Sequence, residues 1–159
     1  MDKTSFLDSL KTERARWDAL LAQVGEARMT MPGVEGEWSV KDIIAHVSWF
    51  EREMVDLLRM HALVGSELWN LPQDQRNAAV FEQNCDRALH DVLGESQRMF
   101  PQLRELVEAL SDEDLNDPGR FAGMPDDWLP WKIIAGNTYT HYPDHGASIR
   151  AWLDRLDQG

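Results

Sequence analysis

Four long stretches of this chain place apolar residues at every third or fourth position, and only a helix turns that spacing into a single face. The first runs over about residues 5 to 24, with Phe6, Leu10, Trp17, Leu21 and Val24 on one side, Thr4 or Ser5 to cap its start and Gly25 to stop it. The second opens at Trp38-Ser39-Val40-Lys41-Asp42, where Ser39 is an N-cap and Asp42 its acidic partner in a capping box. Its stripe reads Ile43, His46, Val47, Phe50, Met54, Leu57 and Leu58, and its end is expected near Leu63. The third covers about residues 90 to 110 and contains Pro101, which is expected to kink it. The last is expected to run unbroken from Pro130 or Trp131 to Leu156, bending at Pro143.

Shorter pieces join these. A helix from about Gln75 to Asp86, capped by Asp74, lies between the second and third long helices, and Ser111 starts a short acidic turn. Residues 116 to 130 have the Pro and Gly content of a loop, but their Phe121, Met124, Trp128 and Leu129 should fold back onto the helices or cover a cleft. No strand signal and no internal repeat is present. The expectation is an all-α four-helix bundle with an accessory short helix, with residues 1–159 forming one domain and one crossover among the long middle connections.

Charge and composition narrow the partners. A formal net charge of −12 disfavours nucleic acid and anionic membrane surfaces. No apolar run approaches the roughly 20 residues that span a bilayer, and the N-terminus lacks the apolar block of a signal peptide. The single cysteine, Cys85, rules out an internal disulfide and fits a reducing cytoplasm; it is expected to be buried and inert. A small-molecule substrate is the partner class that remains.

The chemistry concentrates in Asn137-Thr138-Tyr139-Thr140-His141-Tyr142-Pro143-Asp144-His145. His141 and His145 stand one helical turn apart within the stripe Ile134, Thr138, His141, His145, Ile149, Trp152. His46 holds a core position on the second helix. Imidazoles on an inward face need partners, and bundles build metal sites from facing helices, so these three form a candidate site for a divalent transition metal. Neutral imidazole suits zinc or nickel, and also copper or iron. Taken singly, each histidine also reads as a buried, hydrogen-bonded core residue, and for His46 alone that is the simpler reading. Asp42 and Asn137, each one turn before a candidate ligand, are candidates to orient the rings, although capping alone accounts for Asp42. Glu51, Glu53 and Asp144 are expected at the solvated surface, His61 and His90 at exposed helix ends. Trp38, Trp49, Trp128, Trp131 and Tyr142 are candidate pocket walls. No nucleophile elbow surrounds Ser48 or Ser148, and no phosphate loop or dinucleotide fingerprint occurs.

The segment from Trp38 to His46, together with His141 and His145, resembles the DinB-like superfamily of four-helix bundles. Asn137-Thr138-Tyr139 through His145, the following Ile149-Arg150-Ala151-Trp152-Leu153 and the Leu110-to-Leu115 turn are most similar to its ClbS/DfsB branch. The resemblance implies an up-down-down-up bundle, often a homodimer, with a metal held by His46, His141 and His145. It further implies chemistry of the kind found in thiol-dependent transferases and isomerases, which use a low-molecular-weight thiol, or in proteins that protect their host from reactive small molecules. Branch members that hydrolyse a strained ring in a genotoxin are expected to carry a tyrosine where this chain has His46. The intact triad therefore favours a metal-dependent transferase or hydrolase. The alternatives are a non-catalytic binder that sequesters a small molecule, or a metal that only staples the helices.

Overall fold

The computed structural model describes residues 1–159 and is all-helical, with seven α-helices and no strand. The four long ones are α1 (Lys3–Val24), α2 (Val40–Met60), α4 (Leu89–Ala109) and α7 (His141–Gln158). Helix α3 (Gln73–Asn84) spans the connection from α2 to α4, while α5 (Asp112–Asn116) and α6 (Pro130–Gly136) lead into α7.

Side-chain pairs fix the directions. Arg52 reaches Glu95 at 2.7 Å and Arg59 reaches Gln102 at 3.1 Å, so seven residues forward on α2 match seven forward on α4 and the two run parallel. Arg14 meets Ser96 while Lys3 donates to the carbonyl of Glu108, which makes α1 antiparallel to α4. Phe6 packs on Tyr139 and Trp17 on Tyr142, so α7 runs with α1. The bundle is up-down-down-up, and α3 belongs to the crossover that lets α2 and α4 point the same way.

Helix ends follow local chemistry. Ser39 accepts from Asp42 N–H while the Asp42 carboxylate accepts from Ser39 N–H, and Ser111 and Asp114 form the same reciprocal pair. Helix α1 begins earlier than the periodicity suggests because Asp2, not Thr4 or Ser5, caps it by accepting from Ser5 N–H. Helix α2 stops at Met60, where His61 adopts a left-handed conformation at φ 45°. Pro72 precedes the first residue of α3, so Asp74 lies inside the first turn rather than capping it. Cys85 is a half-buried free thiol, not a buried one.

The last helix is not continuous. Asn137 Nδ2, Thr138 Oγ1 and Thr140 Oγ1 donate to the carbonyls of Ile133, Ile134 and Ala135, competing with the helical ladder as short polar side chains do. The chain turns at residues 137–140 and restarts at His141. Pro143 therefore sits in the first turn of α7, where its missing N–H would have no intrahelical partner in any case. The break replaces the bend expected at Pro143. By contrast, α4 remains helical through Pro101.

One continuous core joins the long helices, with Phe6, Leu10, Ile43, Leu57, Leu103, Ile134 and Ile149 sealed from solvent. Helix α2 lies deepest. Sixteen of its 21 residues are buried, because α3, α4 and α7 all pack against it.

Candidate metal centre

The capping box at Ser39 sets the start of α2 and so places His46 two turns into the helix, 3% exposed. The chain break at residues 137–140 starts α7 at His141 and puts His145 one turn further along the same face. Because α2 and α7 pack antiparallel, the three rings converge. His141 Nε2 lies 3.2 Å from His46 Nε2 and 3.0 Å from His145 Nε2. No other group of three histidine, cysteine or acidic side chains gathers ligand atoms so tightly. The Phe50 ring packs tilted against His46 at a centroid distance of 4.8 Å and edge-on to His141 at 4.9 Å. Trp38, itself stacked on Phe81, lies 5.3 Å from His46.

Protons alone serve this arrangement badly. Each neutral imidazole carries one N–H, yet His141 Nε2 faces two other ring nitrogens. The Nδ1 atoms of His46 and His141 are buried and have no partner. A proton on Nδ1 is thus wasted, and a proton on Nε2 can satisfy only one neighbour. Burial, and then the neighbouring imidazoles, lower the pKa of His46 to about 2 and that of His141 to about 4. Both rings are neutral at pH 7 and offer lone pairs.

The separations of His141 Nε2 from its two neighbours suit a shared cation. Metal–nitrogen bonds of about 2.0–2.1 Å at angles between square and tetrahedral separate ligand nitrogens by roughly 2.8–3.4 Å. The observed 3.0 and 3.2 Å fall in that range.

His145 alone has its outer nitrogen engaged. Its Nδ1 lies 2.8 Å from Glu35 Oε1. Glu35 projects from a tight turn in which Val34 N–H donates to Trp38 C=O and Trp38 N–H to Glu35 C=O. Gly33 and Gly36 flank it at φ 98° and 57°, values that side-chain-bearing residues seldom adopt. Burial alone would raise the Glu35 pKa, but the hydrogen bond and charge of His145 bring it below its ordinary value. This carboxylate–imidazole contact was not anticipated from the sequence. The two candidates that were do not make it: Asp42 is held in the capping box, and Asn137 bonds the carbonyl of Ile133.

A pocket of about 410 Å³ opens beside the rings, with Phe50, Arg76, Asn137 and Asp144 in its walls. Asp144 is exposed, as expected, and so are His61 and His90. Glu51 and Glu53 are not at the surface. Glu53 is 6% exposed and accepts from Ser66 N–H at 2.8 Å and from Trp69 Nε1–H at 2.7 Å. Glu51 is sealed completely and accepts from the Tyr142 hydroxyl, with the Arg14 guanidinium 3.4 Å away. Burial raises the Glu51 pKa, against the opposing pull of Arg14, and burial followed by the Glu51 charge raises Tyr142 well above its usual range. Of the other candidate wall residues, Tyr142 and Trp49 are buried and Trp131 packs against the core. Trp128 is half-exposed and lines a neighbouring cleft of about 460 Å³ that also includes Leu63, Trp69 and Asn137.

Solved structures share this architecture. An uncharacterised protein from Escherichia coli UTI89 superposes with a TM-score of 0.78 at 16% identity, covering 98% of this chain and 95% of its own. A protein from Streptococcus pneumoniae gives 0.80 at 13% identity, covering 97% and 91%. DfsB, described as a sibling lethal factor precursor, gives 0.79 at 15% identity, covering 98% and 97%. At such identities the likeness is one of fold. No curated protein matches the sequence. The family model of the DinB superfamily, however, matches residues 9–156, which include all three converging histidines, and the chain belongs to the DinB superfamily.

Proposed function

We propose that this protein is a metal-dependent enzyme in which His46, His141 and His145 hold a divalent transition metal, zinc or nickel, and act on an electrophilic small molecule. The observation that carries this reading is the convergence of three Nε2 atoms at spacings of 3.0 and 3.2 Å, with His46 and His141 held neutral at pH 7. A divalent ion bound there supplies positive charge that favours the deprotonated, nucleophilic form of a water or a low-molecular-weight thiol.

The chain's own residues supply the rest. Glu35 keeps a proton on His145 Nδ1 and so leaves the Nε2 lone pair facing the centre. Trp38 and Phe50 hold His46 in place and keep water from its sides. The pocket of about 410 Å³ gives one open side, enough for a small substrate to reach the rings.

Elemental analysis of the purified protein tests the reading: about one equivalent of zinc or nickel is expected in the wild type, and little in His141→Ala. Turnover of a chromogenic electrophile with an added thiol should require the metal and be lost in the same variant. Absence of bound metal, together with chelator-insensitive stability and ligand binding, would overturn the proposal. The cleft lined by Leu63, Trp69 and Trp128 favours a second reading, sequestration of an apolar molecule without reaction. Tight uptake of ligand without turnover, unchanged by His141→Ala, would identify it.

A further inference from the structure

Arg76 stands apart from the other arginines. Each of the others that is at least partly withdrawn from solvent has a partner: Arg14 pairs with Asp18 and Glu51, Arg52 and Arg87 with Glu95, Arg104 with Glu108, and Arg28 bonds backbone carbonyls. Arg76 is half-buried, its side chain forms no ion pair and no hydrogen bond, and its Nε is sealed from water without an acceptor. In a chain of net charge −12, a partly buried guanidinium without an acid is not explained by stability. Asp144 lines the same pocket but makes no ion pair with it.

What holds Arg76 is an aromatic face. Its guanidinium carbon lies 4.7 Å from the ring centroid of Trp69 and 5.9 Å from that of Phe50. Trp69 is itself fixed, because its indole N–H donates to the buried carboxylate of Glu53. That carboxylate also takes Ser66 N–H, and a Cβ at Gly65 would meet it at 2.6 Å, so the turn is fitted closely around it. Stacking of this kind orients a guanidinium while leaving its in-plane N–H groups free to donate. Asn77, the next residue on α3, is a neighbour whose buried amide oxygen lacks a partner and, being an acceptor, takes no part in holding an anion. Both residues line the pocket that contains the three histidines.

We infer that this pocket selects small organic molecules carrying a carboxylate, with Arg76 gripping the anion while the rest of the molecule faces His46, His141 and His145. A planar guanidinium fork matches a carboxylate in two parallel hydrogen bonds, and partial desolvation strengthens them. The inference rests on the histidine pocket being the functional one, but its anion grip requires no metal, so the two fail separately.

The test uses metal-free full-length protein at pH 7.5, with benzoate as probe and benzyl alcohol as its uncharged counterpart, followed by NMR at the Arg76 Nε–H and Trp69 Nε1–H resonances. Benzoate is expected to shift both signals and saturate with Kd in the range of about 1–5 mM. Benzyl alcohol should bind at least about tenfold more weakly, and Arg76→Gln should remove that preference. Arg76→Lys, which keeps the charge but not the fork, should fall between the two. A Trp69 Nε1–H that stays as protected from solvent exchange in the unliganded variants as in wild type verifies that its bond to Glu53, and with it the wall, is intact. Equal benzoate binding by wild type and Arg76→Gln, shifts confined to another region, or no saturation by about 20 mM would each overturn the inference. If benzoate binds as expected while purified protein holds no metal, the anion site stands and the metal reading falls.

Discussion

Glu35 and His145 meet across 110 positions of sequence, with the carboxylate oxygen 2.8 Å from Nδ1. This one contact assigns the proton of His145 to the outer nitrogen and turns the inner one toward His141, 3.0 Å away. Removing it should loosen the ring and raise its freedom to choose the wrong tautomer. Glu35→Ala is expected to fold normally and to bind zinc about 10- to 100-fold more weakly. Competition with a chromophoric chelator reads the affinity, and an unchanged value would show that the carboxylate does not orient the ligand.

Metal binding should stabilise the folded chain, because the unfolded chain has no assembled site. Zinc at about 100 times its Kd contributes about 2.7 kcal/mol, which for a chain of this size raises Tm by roughly 5–10 °C. The rise should reverse with chelator and be absent in His46→Ala. Differential scanning calorimetry with and without zinc measures it.

The metal-free protein should lose stability in mild acid. The folded pKa values of His46 and His141 are lowered from 6.5 to about 2 and about 4, so in that interval the unfolded chain binds protons that the folded chain refuses. The stability that depends on these two rings is therefore fully present above pH 6.5 and falls as the pH drops toward 4, by up to about 1.4 kcal/mol per pH unit for each histidine. Urea unfolding at pH 7.5, 6 and 5 gives the slope about which the prediction turns. His141→Gln should flatten it, and a slope identical to wild type would contradict the assignment.

Glu51 belongs to a sealed network with Tyr142 and Arg14 rather than to the surface. Glu51→Ala leaves Arg14 without its innermost acceptor and should cost about 3 kcal/mol, roughly 10 °C in Tm. Glu51→Gln keeps an acceptor for the Tyr142 hydroxyl and should cost less. Near-equal melting of the two variants would mean that the charge, not the hydrogen bond, is what the network requires.

Much of this was open to a reader of the sequence. The apolar period fixed four long helices, and Ser39 with Asp42 announced the start of α2 through a reciprocal pair that the structure contains. His141 and His145 were recognisable because a spacing of four is a statement about one face of one helix. His46 was recognisable because it interrupts an apolar stripe. The environment of α2 was harder to foresee. Glu51 reads as a surface acid only if the helix has a free side, and α2, packed by three helices, has almost none.

Periodicity and capping are local, so the residue order by itself determined where the long helices lie, the start of α2 and the three imidazoles presented to the interior, but not the break before α7. Contacts that depend on which elements become neighbours were decided by the tertiary structure. Glu35 reaches His145 only because a glycine-flanked turn lies beside α7. Arg76 overlooks the histidines only because the crossover lays α3 against α2. Pro143 is compatible with a bent helix or with a restarted one, and the hydrogen bonds of Asn137, Thr138 and Thr140 made it the latter.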